Sequence, residues 1–115
     1  MIEIKPLSPA MGVAGQIAVD DLPTIVAAGY RSILCNRPDH EGTGQPSFDE
    51  IEQAALACGL EARYLPVVSG AITPADGLSF AQLLDVLPGP VLAYCRSGAR
   101  STTLWNLAQS IVAGD

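Results

Sequence analysis

The chain has 115 residues, a formal net charge of -6, and 16% charged against 49% hydrophobic residues. That length and apolar content suit one compact domain spanning residues 1–115 and exclude an intrinsically disordered chain. The acidic balance argues against a nucleic-acid or anionic-membrane surface, since either needs a basic face to replace the counterions around phosphate.

Glu3 and two prolines interrupt the N-terminal stretch, so the apolar run of a secretory leader is not expected, and no window is long enough to span a bilayer. Ile2–Ile4 and Gly12–Gly15 read as short strands separated by a proline-containing turn. Asp20 or Asp21 can cap a helix that carries Leu22, Ile25 and Val26, with Pro23 in its first turn and Gly29 as its stop. Arg31–Cys35 is a strand that ends at the polar loop 36–46. Ser47 and Glu50 have capping-box spacing ahead of a stripe of Ile51, Ala54, Ala55 and Cys58, and Gly59 closes that helix. Leu60–Val68 reads as the next strand.

Thr73, Pro74 and Asp76 form another capping-box start, before a stripe of Phe80, Leu83, Leu84 and Leu87 that Pro88, Gly89 and Pro90 interrupt. Val91–Tyr94 has almost no polar alternation and should be a central strand. A last helix begins near Arg100, with Leu104, Leu107, Ala108 and Ile111 on its buried face. Strand and helix alternate, which predicts an α/β domain of three αβα layers around a mostly parallel sheet of four to five strands. In such sheets ligands bind beyond the carboxyl ends of the strands. The loops after Cys35, after Val68 and at Cys95 should therefore meet.

Three scattered cysteines, Cys35, Cys58 and Cys95, make neither a disulfide framework nor a zinc pattern, and His40 is the lone histidine. A reducing, cytoplasmic setting and a chemistry without metal or organic cofactor are expected. Cys35 and Cys58 lie in apolar surroundings and read as buried structural thiols. Cys95 differs, because Arg96, Ser97, Gly98, Ala99, Arg100 and Ser101 follow it at a strand-to-helix turn. Successive amide groups there can cradle an anion, and the first such anion is the Cys95 thiolate. Gly98 permits the tight turn, Arg96 and Arg100 offer donors to an oxyanion, and the hydroxyl of Ser97 or Ser101 can bond the sulfur or a leaving group. A small anionic sulfur or phosphate substrate is the expected partner.

The segment Tyr94–Ser101 resembles the active-site loop of single-domain rhodaneses. The chain as a whole resembles the DUF442 family, the phosphatase-like domain of beta-lactamase hydrolase-like proteins. The matching motifs are Ala14–Gln16, Cys35–Asp39, Gly44–Phe48, Leu65–Thr73 and Gly89–Ser101. This implies a tyrosine or dual-specificity phosphatase-like fold, together with a choice between two activities. Cysteine phosphatases place five residues between cysteine and arginine, whereas four separate Cys95 from Arg100. Their usual histidine before the cysteine is Tyr94 here, and candidates for their general acid are Asp76, equally explained as a helix cap, and Asp39.

The residues thus favour sulfur transfer through a Cys95 persulfide, with a phosphocysteine phosphatase as the alternative and a non-catalytic anion-binding or docking module as a third reading. Arg37 is expected to contact ligand at the rim, where the turn could equally leave it solvated. His40 reads as a surface residue. Gln16 and Ser69 are candidate polar groups at strand ends. The family's frequent neighbours imply a persulfide dioxygenase or a sulfide-oxidising flavoprotein as docking partners.

Overall fold

The computed structural model describes residues 2–113. β1 (Ile4–Ser8) and β2 (Met11–Ala14) form an antiparallel hairpin, and β2 lies parallel to β5 (Val91–Tyr94). β5 lies parallel to β3 (Ser32–Cys35), which lies parallel to β4 (Glu61–Tyr64), giving the five-stranded order β1-β2-β5-β3-β4. The expected α/β class and mostly parallel sheet are present, with β5 at the centre.

Side chains alternate along the inner strands, as a period of two requires when both faces are covered. Ile33, Cys35, Leu92 and Tyr94 join Leu22 and Ile25 of α1 (Leu22–Ala27) and Ile51 and Ala55 of α2 (Phe48–Ala57) in one core layer. Leu34, Val91 and Ala93 face the other way, onto Phe80 of α3 (Pro74–Val86) and Leu104 and Ala108 of α4 (Ala99–Ala113).

Both capping boxes form. The Ser47 hydroxyl accepts from the Glu50 amide at 3.1 Å, and the Thr73 hydroxyl from the Asp76 amide at 3.3 Å. Glu50 and Asp76 answer by accepting from the amides of Ser47 and Thr73. Each pair satisfies amides that a helix start leaves unbonded.

The structure departs from the sequence reading in several places. Pro6 lies inside β1 rather than in the turn, which an edge strand tolerates because the missing N–H can face away from the ladder. A 3₁₀ turn, Val19–Asp21, precedes α1, and the Asp21 carboxylate bonds the Ala18 amide. β4 is four residues long instead of reaching Val68. Beyond it the chain is held by Leu65 and Val67 amides donating to the carbonyls of Cys35 and Asn36, on either side of Pro66, which has no donor. Cys58 is exposed at the end of α2, not buried, because the helix stops there and Gly59 turns the chain away at φ +83°. Val26 and Ile111 are also more exposed than their stripes implied.

Helices α3 and α4 pack closely at Gly77, where an added Cβ would lie 2.7 Å from Cβ of Leu107. Alanine gains about 1 kcal/mol over glycine in helix propensity, yet overpacking costs about 1–3 kcal/mol. Gly77→Ala should therefore lower the urea midpoint at an unchanged slope. A higher midpoint would mean that the two helices have room to separate.

Candidate active site

The site begins where β5 ends. Tyr94 is paired on one side with Ala14 and on the other with Cys35, so the chain leaves the middle of the sheet at Cys95. The Cys95 amide donates to the Ala14 carbonyl at 3.3 Å, and the Asn36 amide to the Tyr94 carbonyl at 2.8 Å. Four residues later the chain is already helical. Gly98 makes this turn possible with φ +93°, a value that side-chain-bearing residues rarely adopt.

The turn directs its amides at the sulfur. Gly98 N–H donates to Cys95 Sγ at 3.1 Å, and the backbone amides of Ser97, Arg100 and Ser101 lie near enough to favour its charged form. Burial alone would push the Cys95 pKa up, but these four donors together outweigh burial and hold the thiol below the ordinary cysteine value. Cys95 is 1% exposed. The sulfur is thus held within the turn, away from bulk water.

Arg100 lies over this turn. Its Nη1 donates to Glu41 Oε2 at 2.6 Å and to the Val67 carbonyl at 2.9 Å, while Nη2 donates to Glu41 Oε1 at 2.8 Å. Arg37 joins the same carboxylate, Nε to Oε1 at 2.8 Å, and donates from Nη1 to Gln16 Oε1 at 3.1 Å. Glu41 thus accepts from two buried guanidinium groups. The Arg100 hydrogen bond foremost, and the Arg37 one beside it, overcome its partial burial and hold its pKa near 2. Arg37, Glu41, Gly42, Thr43, Ser69, Arg96 and Arg100 line a cleft of about 520 Å³, which therefore collects three of the chain's six basic residues.

The structure thus brings Cys95, Arg96, Arg100, Arg37 and Ser69 to one end of the sheet. Other residues singled out in the sequence have different surroundings. The Ser101 hydroxyl donates to Asn36 Oδ1 at 2.8 Å and leaves only its amide for the sulfur, and the exposed Ser97 hydroxyl accepts from the Ala99 amide at 3.4 Å. Asp39 Oδ1 accepts from the Phe48 amide at 2.8 Å, and Asp76 is engaged by Thr73. His40 occupies an exposed turn with φ +65°. Gln16 orients Arg37. Glu41 and Asn36 are the site residues that sequence reasoning passed over, for their partners Arg100 and Ser101 lie 59 and 65 positions away.

Cys35, one strand over, is buried, with its pKa raised chiefly by burial, and it bonds the Arg37 carbonyl at 3.3 Å. Among the described residues no group of three His, Cys, Asp or Glu side chains could hold a metal ion. Among the same residues no helix is long and apolar enough to cross a membrane.

Comparison with known proteins agrees with this architecture. The family described as beta-lactamase hydrolase-like protein, phosphatase-like domain, matches residues 3–112. A beta-lactamase hydrolase-like protein of Agrobacterium fabrum is 36% identical over 105 residues, which are 91% of this chain and 24% of that protein. One from Xylella fastidiosa Temecula1 is 34% identical over 110 residues, 96% of this chain and 26% of that protein. The chain thus spans about a quarter of the length of the curated relatives it matches.

A crystal structure of a candidate phosphatase from Neisseria meningitidis Z2491 superposes with a TM-score of 0.89 at 33% identity, covering 97% of this chain and 80% of that one. The active form of Tk-PTP superposes with a TM-score of 0.72 at 20% identity over 97% of this chain and 75% of that one, a likeness of fold. With a tyrosine phosphatase-like fold and a match over nearly its whole length, the chain belongs to the family of phosphatase-like domains of beta-lactamase hydrolase-like proteins.

Proposed function

We propose that this single domain is a cysteine-dependent phosphatase that takes the phosphoryl group of a small phosphomonoester onto Cys95. The observation that carries this reading is the buried Cys95 sulfur, bonded by Gly98 N–H and ringed by the amides of Ser97, Arg100 and Ser101 beside the Arg100 side chain. Its phosphatase-like family and fold point to the group transferred. The thiolate attacks phosphorus, an S–P bond forms, and the P–O bond to the alcohol breaks with its electron pair leaving on oxygen. Water protonates that oxygen. A second water then adds to phosphorus, breaks the S–P bond, and returns inorganic phosphate and the thiolate.

Arg100 and the turn amides carry the charge on the phosphoryl oxygens, which strengthens as the transition state forms. Arg96 and Arg37, which both line the cleft, favour entry of an anion on a chain whose net charge is -6. Since Asp39 and Asp76 both serve as backbone caps, leaving groups of low pKa, such as phenols, are favoured over alkyl alcohols.

A second reading is sulfur transfer, favoured by the four-residue spacing between Cys95 and Arg100 and by amides that converge on the sulfur itself. There the thiolate attacks the outer sulfur of thiosulfate, sulfite departs with the bonding pair, and an acceptor thiolate or cyanide removes the sulfur from the Cys95 persulfide. Sulfite needs no proton to leave. A persulfide dioxygenase or sulfide-oxidising flavoprotein would be the partner for that chemistry.

The two readings separate in one pair of assays on wild type and Cys95→Ala. Phosphatase action predicts vanadate-sensitive phosphate release from an aryl phosphate that drops at least 1000-fold in the variant, on the scale of losing a covalent nucleophile (roughly 10³ or more). Phosphate release unaffected by the substitution would end the first reading. Thiocyanate formed from thiosulfate and cyanide, with one sulfur gained by Cys95, would transfer the case to the second.

The pH dependence follows from the sign of the Cys95 shift. A lowered pKa means that alkylation of the folded protein at Cys95 has its midpoint below that of the urea-unfolded chain, and that the acid limb of activity lies at that lower pH. The associated stability is complete above the unfolded cysteine pKa and is lost as pH falls through the folded one. Equal midpoints for folded and unfolded protein would contradict the amide arrangement.

A further inference from the structure

Glu41 lies in a loop that local sequence does not mark, yet it is the carboxylate on which both buried arginines of the site converge. A guanidinium has five N–H donors in one plane. Both hydrogens of Arg100 Nη1 are used, one by Glu41 Oε2 and one by the Val67 carbonyl, and one hydrogen of Nη2 is used by Glu41 Oε1. What remains is Nε–H and the second Nη2–H. These form the side edge of the fork, two parallel donors spaced to grip two oxygens of one anion.

The Arg100 side chain also lies near the Cys95 sulfur, which favours the charged guanidinium. Since its far end is engaged by Glu41, only the free edge is open to the sulfur. The backbone carbonyl of Val67 fixes the plane, and Arg37, gripped by Glu41 and Gln16, holds the carboxylate in turn. Arg37 and Arg100 side chains are 9% and 8% exposed, so neither swings freely into water.

We infer that Glu41 is a positioning residue that turns the Nε–Nη2 edge of Arg100 toward the sulfur, so that any anionic group transferred to Cys95 is received by two aligned donors. This rests on Cys95 being the nucleophile and not on which group it takes. An alternative job for the same carboxylate is that of an internal anion competing with substrate for Arg100. The two roles predict opposite effects of removing it, because a competitor lost speeds the reaction and a positioning group lost slows it.

The test compares wild type, Glu41→Gln, Glu41→Asp and Arg100→Lys, each shown to be folded by circular dichroism. Two readouts are used. The first is kcat and KM for p-nitrophenyl phosphate. The second needs no turnover: the rate at which Cys95 alone, followed by peptide mass, reacts with anionic iodoacetate relative to neutral iodoacetamide.

In wild type the free Arg100 edge should favour iodoacetate. Glu41→Gln keeps the size but loses the charge, and should cut that preference by about tenfold, the scale of one charge-assisted hydrogen bond. Its iodoacetamide rate should hold or rise, because a negative charge has left the neighbourhood of the thiolate. The aryl phosphate kcat should fall with it, Arg100→Lys should behave like Glu41→Gln, and Glu41→Asp should recover part of the preference.

An unchanged iodoacetate preference in a folded Glu41→Gln protein would overturn the inference, leaving Glu41 a simple loop staple. A higher preference or a higher kcat/KM would overturn it in favour of the competing-anion role. If wild type shows no phosphate release, the phosphatase reading fails while the alkylation ratio still decides the role of Glu41.

Discussion

A buried thiol whose ionisation the surrounding donors favour is the constraint around which this protein is arranged. Desolvation opposes ionisation of Cys95, and only a close set of donors can reverse that. Backbone amides meet the need at little entropic cost, because the strand before them and the helix after them have already fixed their directions. Charge is matched on a larger scale too. Arg37 and Arg100 are buried with one carboxylate between them, Glu41, so the group of three carries one excess positive charge. Cys95, with its lowered pKa, lies beside that excess charge. Removal of Glu41 would leave two buried guanidinium groups without their carboxylate, which costs far more than the intact group contributes.

The sheet supplies the geometry that this balance needs. β5 is inserted between β2 and β3, so the end of β5 is flanked by two neighbours whose carbonyls and amides pin the chain as it turns. Loop 36–46 issues from β3 and carries Arg37 and Glu41, the segment after β4 brings the Val67 carbonyl, and β5 brings Cys95 and Arg100. Three chain segments distant in sequence therefore meet on one guanidinium. The bond from the Ser101 hydroxyl to Asn36 ties the start of α4 to the end of β3, and the Asn36 amide group continues the link to the Leu65 carbonyl. The loops around the site are thus joined by buried and part-buried polar bonds, and among the described residues no buried side-chain nitrogen or oxygen lacks a partner, which restricts their motion and keeps the amides aimed.

Other features show the same dependence on close approach. A Cβ on Gly15 would lie 3.0 Å from the Arg96 carbonyl, which accepts from the Gln16 amide, so the backbone just after β2 supports the Cys95 turn. Phe48 and Tyr64 stack with ring centroids 4.9 Å apart, and the Tyr64 hydroxyl accepts from the Asp39 amide, anchoring the far side of loop 36–46. Asp39 therefore works within the scaffold of the loop that carries Arg37. Its carboxylate stabilises the α2 start by bonding the Phe48 amide.

What the sequence by itself determined were the features written within a few residues: the capping boxes at Ser47 and Thr73, the glycine stop at Gly59, the unbroken apolar strand 91–94, and a glycine-containing turn between Cys95 and α4. Such signals are local because they rest on backbone dihedrals and on the next turn of helix. The tertiary structure alone decided the hydrogen-bond partners of Arg100, the pairing of Ser101 with Asn36 and the exposure of Cys58. It also decided the place of Pro6 within an edge strand and the early end of β4. No spacing rule connects Glu41 to an arginine 59 residues later. That contact exists because β5 passes between β2 and β3 and brings their loops together, and the cost of burying two arginines is offset by the carboxylate of Glu41.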